Sequence, residues 1–225
     1  MASSTVAIMQ PYFVPYAGYF RLIAAADLFV IYDCVQFPRR GWVHRNRLVD
    51  HSGNERWLTL PLVRAAQTVL IRDLEFPANV GDLFAARLKA FPLAPTIPGT
   101  EPVLTALREI GGRPVDYIER LLGHIVSYLG LPSRTVRSTE FGIPPTLRGQ
   151  ERILEIARRA GAGTYLNAPG GRALYDSAAF ADAGIKLRFL PDYQGPTSSI
   201  LGRILRERPE DIAHEIRQAC CGIAA

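Results

Sequence analysis

The chain has 225 residues, 48% hydrophobic and 21% charged, the proportions of an ordinary globular protein. That mix excludes a disordered tail, a collagen-like repeat and a disulfide-stapled miniprotein. The net charge is +5 and only Lys89 and Lys186 are lysines, so arginine supplies nearly all of the positive charge; spread along the chain and not gathered in a tail, it argues against a nucleic-acid partner and suits fixed, bidentate recognition of carboxylates and phosphates.

The apolar run 6–9 ends at Gln10-Pro11 and reads as a buried strand. A loop with two prolines, Pro11 and Pro15, leads to a helical stretch at 19–26 and a second strand at 28–34, rich in Phe, Val, Ile and Tyr. Strand, helix, strand in that order predicts a right-handed parallel unit. Pro38-Arg39-Arg40-Gly41 is turn chemistry, so 42–49 is expected to run back antiparallel to the second strand. Further strands are expected at 57–60 and 69–76, and helices at 79–91, 102–110 and 115–129. Residues 91–102 hold four prolines and read as loop.

The second half alternates strands at 135–141, 164–167 and 185–190 with helices at 149–160 and 209–220, and a helix start at 170–175. The expected fold is α/β: a mixed, mainly parallel sheet with flanking helices, an antiparallel hairpin and a helical middle insertion at about 79–130, in a single domain over 1–225. No export signal is apparent, and the apolar stretch 22–35 carries Asp27 and Asp33, which argues against insertion in a membrane. Three cysteines, two of them adjacent (Cys220 and Cys221), read as reduced thiols of a cytoplasmic protein.

The densest chemistry lies between Tyr32 and Arg47. A hairpin centred on Arg39 places Cys34 opposite His44, with Cβ atoms about 5 Å apart. A thiol beside an imidazole is a workable nucleophile and base for acyl transfer, and the nearby Arg39, Arg40, Arg45 and Arg47 favour thiolate. Asp33, His51 and Asn46 are the candidates to orient His44, Asp33 foremost. Binding candidates are Gln10, Tyr12 and Tyr16 in the loop after the first strand, Arg39, Arg40, Arg45 and Asn46 around the turn, and Asn167, Gly170, Gly171 and Arg172, where a strand meets a helix and free N–H groups suit an anion. No grouping has metal-ligand spacing, so no metal is expected.

Several pieces, in order along nearly the whole chain, resemble the WbqC-like family. They include Ile8-Met-Gln-Pro-Tyr12 with Pro15-Tyr-Ala-Gly-Tyr-Phe20, Val35-Gln36-Phe37, Gly41-Trp42 with Arg45-Asn46-Arg47, Leu58-Thr-Leu-Pro61, Tyr165-Leu-Asn-Ala with Gly170-Gly171, and Ser199-Ile200-Leu201. The resemblance implies a bacterial enzyme of surface-sugar or small-molecule biosynthesis that transfers an acyl or aminoacyl group, glycyl among them, to a small-molecule acceptor. Combined with the Cys34/His44 pair, it implies a thioester donor on a phosphopantetheine arm, with an acyl carrier protein as partner and no tightly bound cofactor. The opening also resembles pantothenate-synthetase-type nucleotidyl transferases, without their histidine-glycine-histidine loop. An ATP- or nucleotide-dependent ligase is therefore the second expectation, and a non-catalytic binding protein of a biosynthetic complex the third.

Overall fold

The computed structural model describes residues 4–132 and 134–222. Five strands form one sheet: β1 (Ser4–Met9), β2 (Leu28–Ile31), β5 (Thr135–Arg137), β6 (Ala162–Asn167) and β7 (Lys186–Phe189). Their spatial order is β5-β2-β1-β6-β7 and every pairing is parallel. Side chains alternate across a strand, and here both faces are covered, so the strands read as continuous apolar runs. Ala7, Phe29 and Ile31 face one core, while Val6, Ile8, Leu28 and Val30 face the other.

The first face is covered by α1 (Ala17–Ala24), α4 (Pro114–Tyr128) and α8 (Pro209–Gln218), through Phe20, Ile23, Ile118, Leu122, Ile125, Ile212 and Ile216. The second is covered by α5 (Gly149–Arg159) and α6 (Ser177–Asp182), through Ile153, Ile156, Ala157 and Phe180. These helices form where the sequence spaces apolar residues three and four apart. Pro114 and Pro209 sit in the first turns of α4 and α8, where a missing N–H costs nothing. Helices α2 (Val80–Leu88) and α3 (Glu101–Arg108) precede α4 and make up the helical middle of the chain; the short α7 (Leu201–Ile204) leads into α8. Among the described residues no helix is long and apolar enough to cross a membrane.

The expected hairpin between residues 28–34 and 42–49 is not formed. Instead β3 (Arg45–Val49) pairs with β4 (Glu55–Thr59) as a separate antiparallel ribbon. The reason is local. Asp50 Oδ1 accepts from the N–H groups of Ser52 and Asn54, and Gly53 takes the left-handed φ of +83° that the turn needs. That five-residue connection closes β3 on β4 at little entropic cost, while the backbone after β2 bonds instead to residues 69–71, Phe37 N–H to the Val69 carbonyl and Ile71 N–H to that of Val35. Strand β2 ends at Ile31, three residues early, because the N–H groups of Asp33 and Cys34 turn away to Ser138 Oγ. Residues 69–76 are likewise not a strand: a single antiparallel bridge joins Gln36 to Leu70, and Ile71–Asp73 is one 3-10 turn.

A buried polar junction holds the ribbon to the sheet. Asn46 Nδ2 donates to the carbonyls of Phe13 (3.1 Å) and Val14 (2.9 Å), and its Oδ1 accepts from Arg47 N–H. Ser199 Oγ donates to the same Val14 carbonyl, and Ser199 N–H to the Arg47 carbonyl. Val14 has φ +37°, an uncommon conformation for a β-branched residue that these contacts hold in place. Asn46→Ala leaves the Phe13 carbonyl without this donor inside the protein. It is expected to lower unfolding stability by about 2–4 kcal/mol in urea titrations; a change below about 0.5 kcal/mol would show that the junction is not what anchors the ribbon.

Candidate functional site

In the order in which the chain lays them down, the sheet strands run 3-2-1-4-5. Direction of winding therefore reverses between β1 and β6, and the crevice at their carboxyl ends is the usual ligand position in such sheets. Gln10 and Asn167 flank it. Much of that rim is engaged in holding the fold. The Gln10 carbonyl accepts from Tyr19 Oη (2.9 Å), and the Tyr12 ring packs on Tyr19 and the Tyr16 ring on Tyr193. Asn167 is buried and its Oδ1 accepts from Ala168 N–H. Gly171 lies so close to Asn167 and Tyr175 that a Cβ there would collide with the amide, while Gly170 faces open space. Arg172 lies over the Phe189 ring, 5.8 Å from its centroid.

Without the β2–β3 hairpin, Cys34 and His44 are not cross-strand partners. Cys34 is buried on the α5 side of the sheet, packed with Val30 and Ile153, and its carbonyl accepts from Arg152 Nη1 (2.7 Å). Beside it, Tyr32 has its hydroxyl pKa pushed up to about 12, mainly by burial. Asp33 does not orient His44. Its carboxylate accepts from Ser138 Oγ, Thr139 N–H and Thr139 Oγ1, tying the end of β2 to the residues after β5. The arrangement assigns Asp33 a structural task and leaves the thiol without an imidazole.

His44 faces a different cleft, of about 560 Å³, between the ribbon, α2 and the strap formed by residues 61–65. Phe37, Leu60, Leu62, Val69 and Leu74 supply apolar walls, and Arg39, Arg64 and Arg87 the charge. The size falls within the range of small-molecule sites, roughly 300–1,000 Å³. Among the described residues no carboxylate lines the cleft and none of the three arginines forms an ion pair. Arg39 donates to the Ala65 carbonyl and Arg87 to that of Thr59, which fixes both guanidinium groups at the rim and leaves donors spare.

The imidazole stands against the Phe37 ring, centroids 5.0 Å apart and nearly perpendicular. Its Nδ1 is buried and has no hydrogen-bond partner. Burial, with Arg45 and Arg87 alongside, pulls its pKa from 6.5 down to about 4. At neutral pH the ring is therefore uncharged; because Nδ1 has no exposed surface, proton exchange with a molecule in the cleft falls to Nε2.

Of the other expected residues, Arg45 folds the turn back on itself by donating to the Gly41 and Arg40 carbonyls and stacks 4.3 Å over Trp57. Arg40 is exposed at that turn, and Asn46 belongs to the buried junction. Sequence reasoning missed Arg64 and Arg87, which lie far from His44 along the chain; on α2, Arg87 reads as one more solvated helix residue. The available signal was the Leu58-Thr-Leu-Pro61 segment, whose Thr59 carbonyl receives it. Among the described residues no cluster of His, Cys, Asp or Glu is arranged to hold a metal ion.

The profile of the WbqC-like protein family matches residues 10–197, which include both the switch-point rim and the arginine-lined cleft. The chain belongs to the WbqC-like protein family. This WbqC-like protein is also similar to the uncharacterized protein Rv1507c of Mycobacterium tuberculosis (strain ATCC 25618 / H37Rv), 31% identical over 206 residues that cover 84% of this chain and 83% of that one. No solved structure matches it.

The depressed pKa of His44 has a consequence for stability. Between about pH 6.5 and pH 4 the unfolded chain binds a proton at this position that the folded chain does not. Stability is therefore retained above that window and falls as pH drops through it. His44→Gln is expected to flatten the dependence of unfolding free energy on pH between 6.5 and 4, measured by urea titration at several pH values; an unchanged slope would show that His44 is not the group responsible.

Proposed function

We propose that this WbqC-like protein is a transferase that moves an acyl or aminoacyl group from a thioester to the amine or hydroxyl of a small acceptor, in bacterial surface-sugar or small-molecule biosynthesis, with His44 as general base and no covalent intermediate on Cys34. The observation that carries the reading is His44 itself: an uncharged imidazole lining a cleft bordered by three arginines, with no carboxylate among the described lining residues.

In the proposed reaction the imidazole takes the proton from the acceptor as its nitrogen or oxygen attacks the thioester carbonyl. The carbon–sulfur bond then breaks, and the imidazolium returns the proton to the departing thiolate. Arg87, close enough to His44 to affect its charge, is the donor available to the oxyanion that forms on attack. A pKa near 4 makes a weak base. An anionic substrate beside Arg87 offsets the repulsion that lowers it, so the base strengthens when substrate is present.

His44→Ala is expected to lower kcat by about 10²-fold or more, while Cys34→Ala stays within a few-fold of the parent, in a transfer assay with acyl and glycyl thioesters read by mass spectrometry. Loss of turnover in Cys34→Ala, together with an acyl adduct on the intact parent chain, would overturn the direct mechanism.

A second reading, an ATP- or nucleotide-dependent ligase, is favoured by the strand order alone. The reversal between β1 and β6 is where α/β sheets commonly seat nucleotides, and Gln10 and Asn167 flank it. ATP-dependent exchange of labelled pyrophosphate, abolished by Asn167→Ala, is the result expected of that chemistry; no exchange in the presence of candidate acids removes it.

A further inference from the structure

Resting on the transferase reading of the same cleft, we infer that Arg39 and Arg64 form a phosphate subsite. It would take a substrate whose reactive acyl group is joined to a phosphate ester by an uncharged arm, as in a phosphopantetheine thioester. The cleft has two unlike parts. His44, Thr59 and Arg87 lie together: the Leu60 N–H donates to the His44 carbonyl, and Arg87 to that of Thr59. Arg64 lies four residues beyond Leu60 on the strap, at most about 14 Å along extended chain. Arg39 reaches the same place from the opposite wall, its Nη2 bonded to the Ala65 carbonyl.

Arg39 and Arg64 thus both line the strap end of the cleft, with no carboxylate among the described lining residues. Elsewhere in the molecule arginines next to acidic residues do pair: Arg47 with Glu55, Arg137 with Asp116 and Glu119, Arg203 with Glu207 and Glu215. A phosphate suits two such arginines, because it carries up to two negative charges and accepts forked donors. Phe37, Leu60, Leu62 and Val69 line the same cleft, an apolar surface for an uncharged arm that offers no charged group to recognise. Arm length then decides which carbonyl reaches His44. A thioester without the phosphate enters the cleft but is not held in register.

Isothermal titration of the whole protein with 4′-phosphopantetheine and with pantetheine tests the subsite directly. The phosphorylated compound is expected to bind at least tenfold more tightly. Arg39→Ala and Arg64→Glu are each expected to remove most of that preference, with Arg64→Glu also leaving the melting temperature close to the parent value. Because Arg39 also braces the strap, Arg39→Lys is included and is expected to recover part of the preference. A methyl phosphodiester of phosphopantetheine, imitating the linkage to a carrier protein, separates the two sources of the group. Binding as tight as the monoester points to a carrier-borne arm, and weaker binding to the free compound.

Equal affinity for pantetheine and its phosphate, or arginine variants with unchanged preference, would overturn the subsite. The two proposals fail separately. Arginine-dependent phosphate binding without His44-dependent transfer sinks the transferase and spares the subsite. His44-dependent transfer indifferent to Arg39 and Arg64 does the reverse.

Discussion

The side-chain amide of Asn46 sits where three parts of the chain converge: the loop after β1, the start of the ribbon, and the segment entering α7. It satisfies two carbonyls of the loop, and Ser199 secures one of them from the other side. Among the described residues the β3–β4 ribbon shares no strand pairing with the parallel sheet, so this junction and the apolar contacts of Leu48, Leu58 and Leu60 determine where it lies. One wall of the cleft, including His44 and Thr59, belongs to the ribbon. A buried polar group that can be satisfied in only one arrangement specifies that arrangement more sharply than apolar packing alone. The position of the imidazole relative to α2 and the strap follows from it.

Arginine serves several distinct purposes here. Arg152 is buried and spends its donors on the Cys34, Leu147 and Pro145 carbonyls, cementing the end of β2 to the start of α5. Arg21, also buried, donates to the Pro191 carbonyl and faces the Tyr193 ring. Arg137 and Arg203 are paired with carboxylates. These uses hold the fold together. Against that background the unneutralised charges of Arg39, Arg64 and Arg87 stand out because they share one concave, half-apolar place. The excess of positive charge in the composition acquires a location only through the fold.

The parallel sheet was legible in the sequence because its strands are apolar on both faces, and the helices because their buried residues recur with helical spacing. Ile118, Leu122 and Ile125 on α4 and Ile153 and Ile156 on α5 are examples. The partner of residues 45–49 was not legible. Strand pairing depends on which turn closes at least cost, and the side-chain hydrogen bonds of Asp50 settle that, not the apolar pattern. This one difference removed the facing thiol and imidazole and moved interest from Cys34 to the cleft. His44 and Arg39 were identified as candidates, but their companions Arg64 and Arg87 come from a strap and a helix whose approach is purely tertiary. Asp33 was recognisable as an unusual residue on an apolar strand, yet only the fold reveals that Ser138 and Thr139 claim its carboxylate.

Both tryptophans of the chain stand on or beside the ribbon, Trp42 against Trp57 with ring centroids 5.3 Å apart and the guanidinium groups of Arg45 and Arg47 over them. Indole emission from this protein therefore originates in one small region and is silent about the five-stranded sheet. Excited selectively, it is a built-in optical gauge of the element that carries the imidazole. Departure of the ribbon from the sheet would register in that light while the circular dichroism of the helices stayed the same.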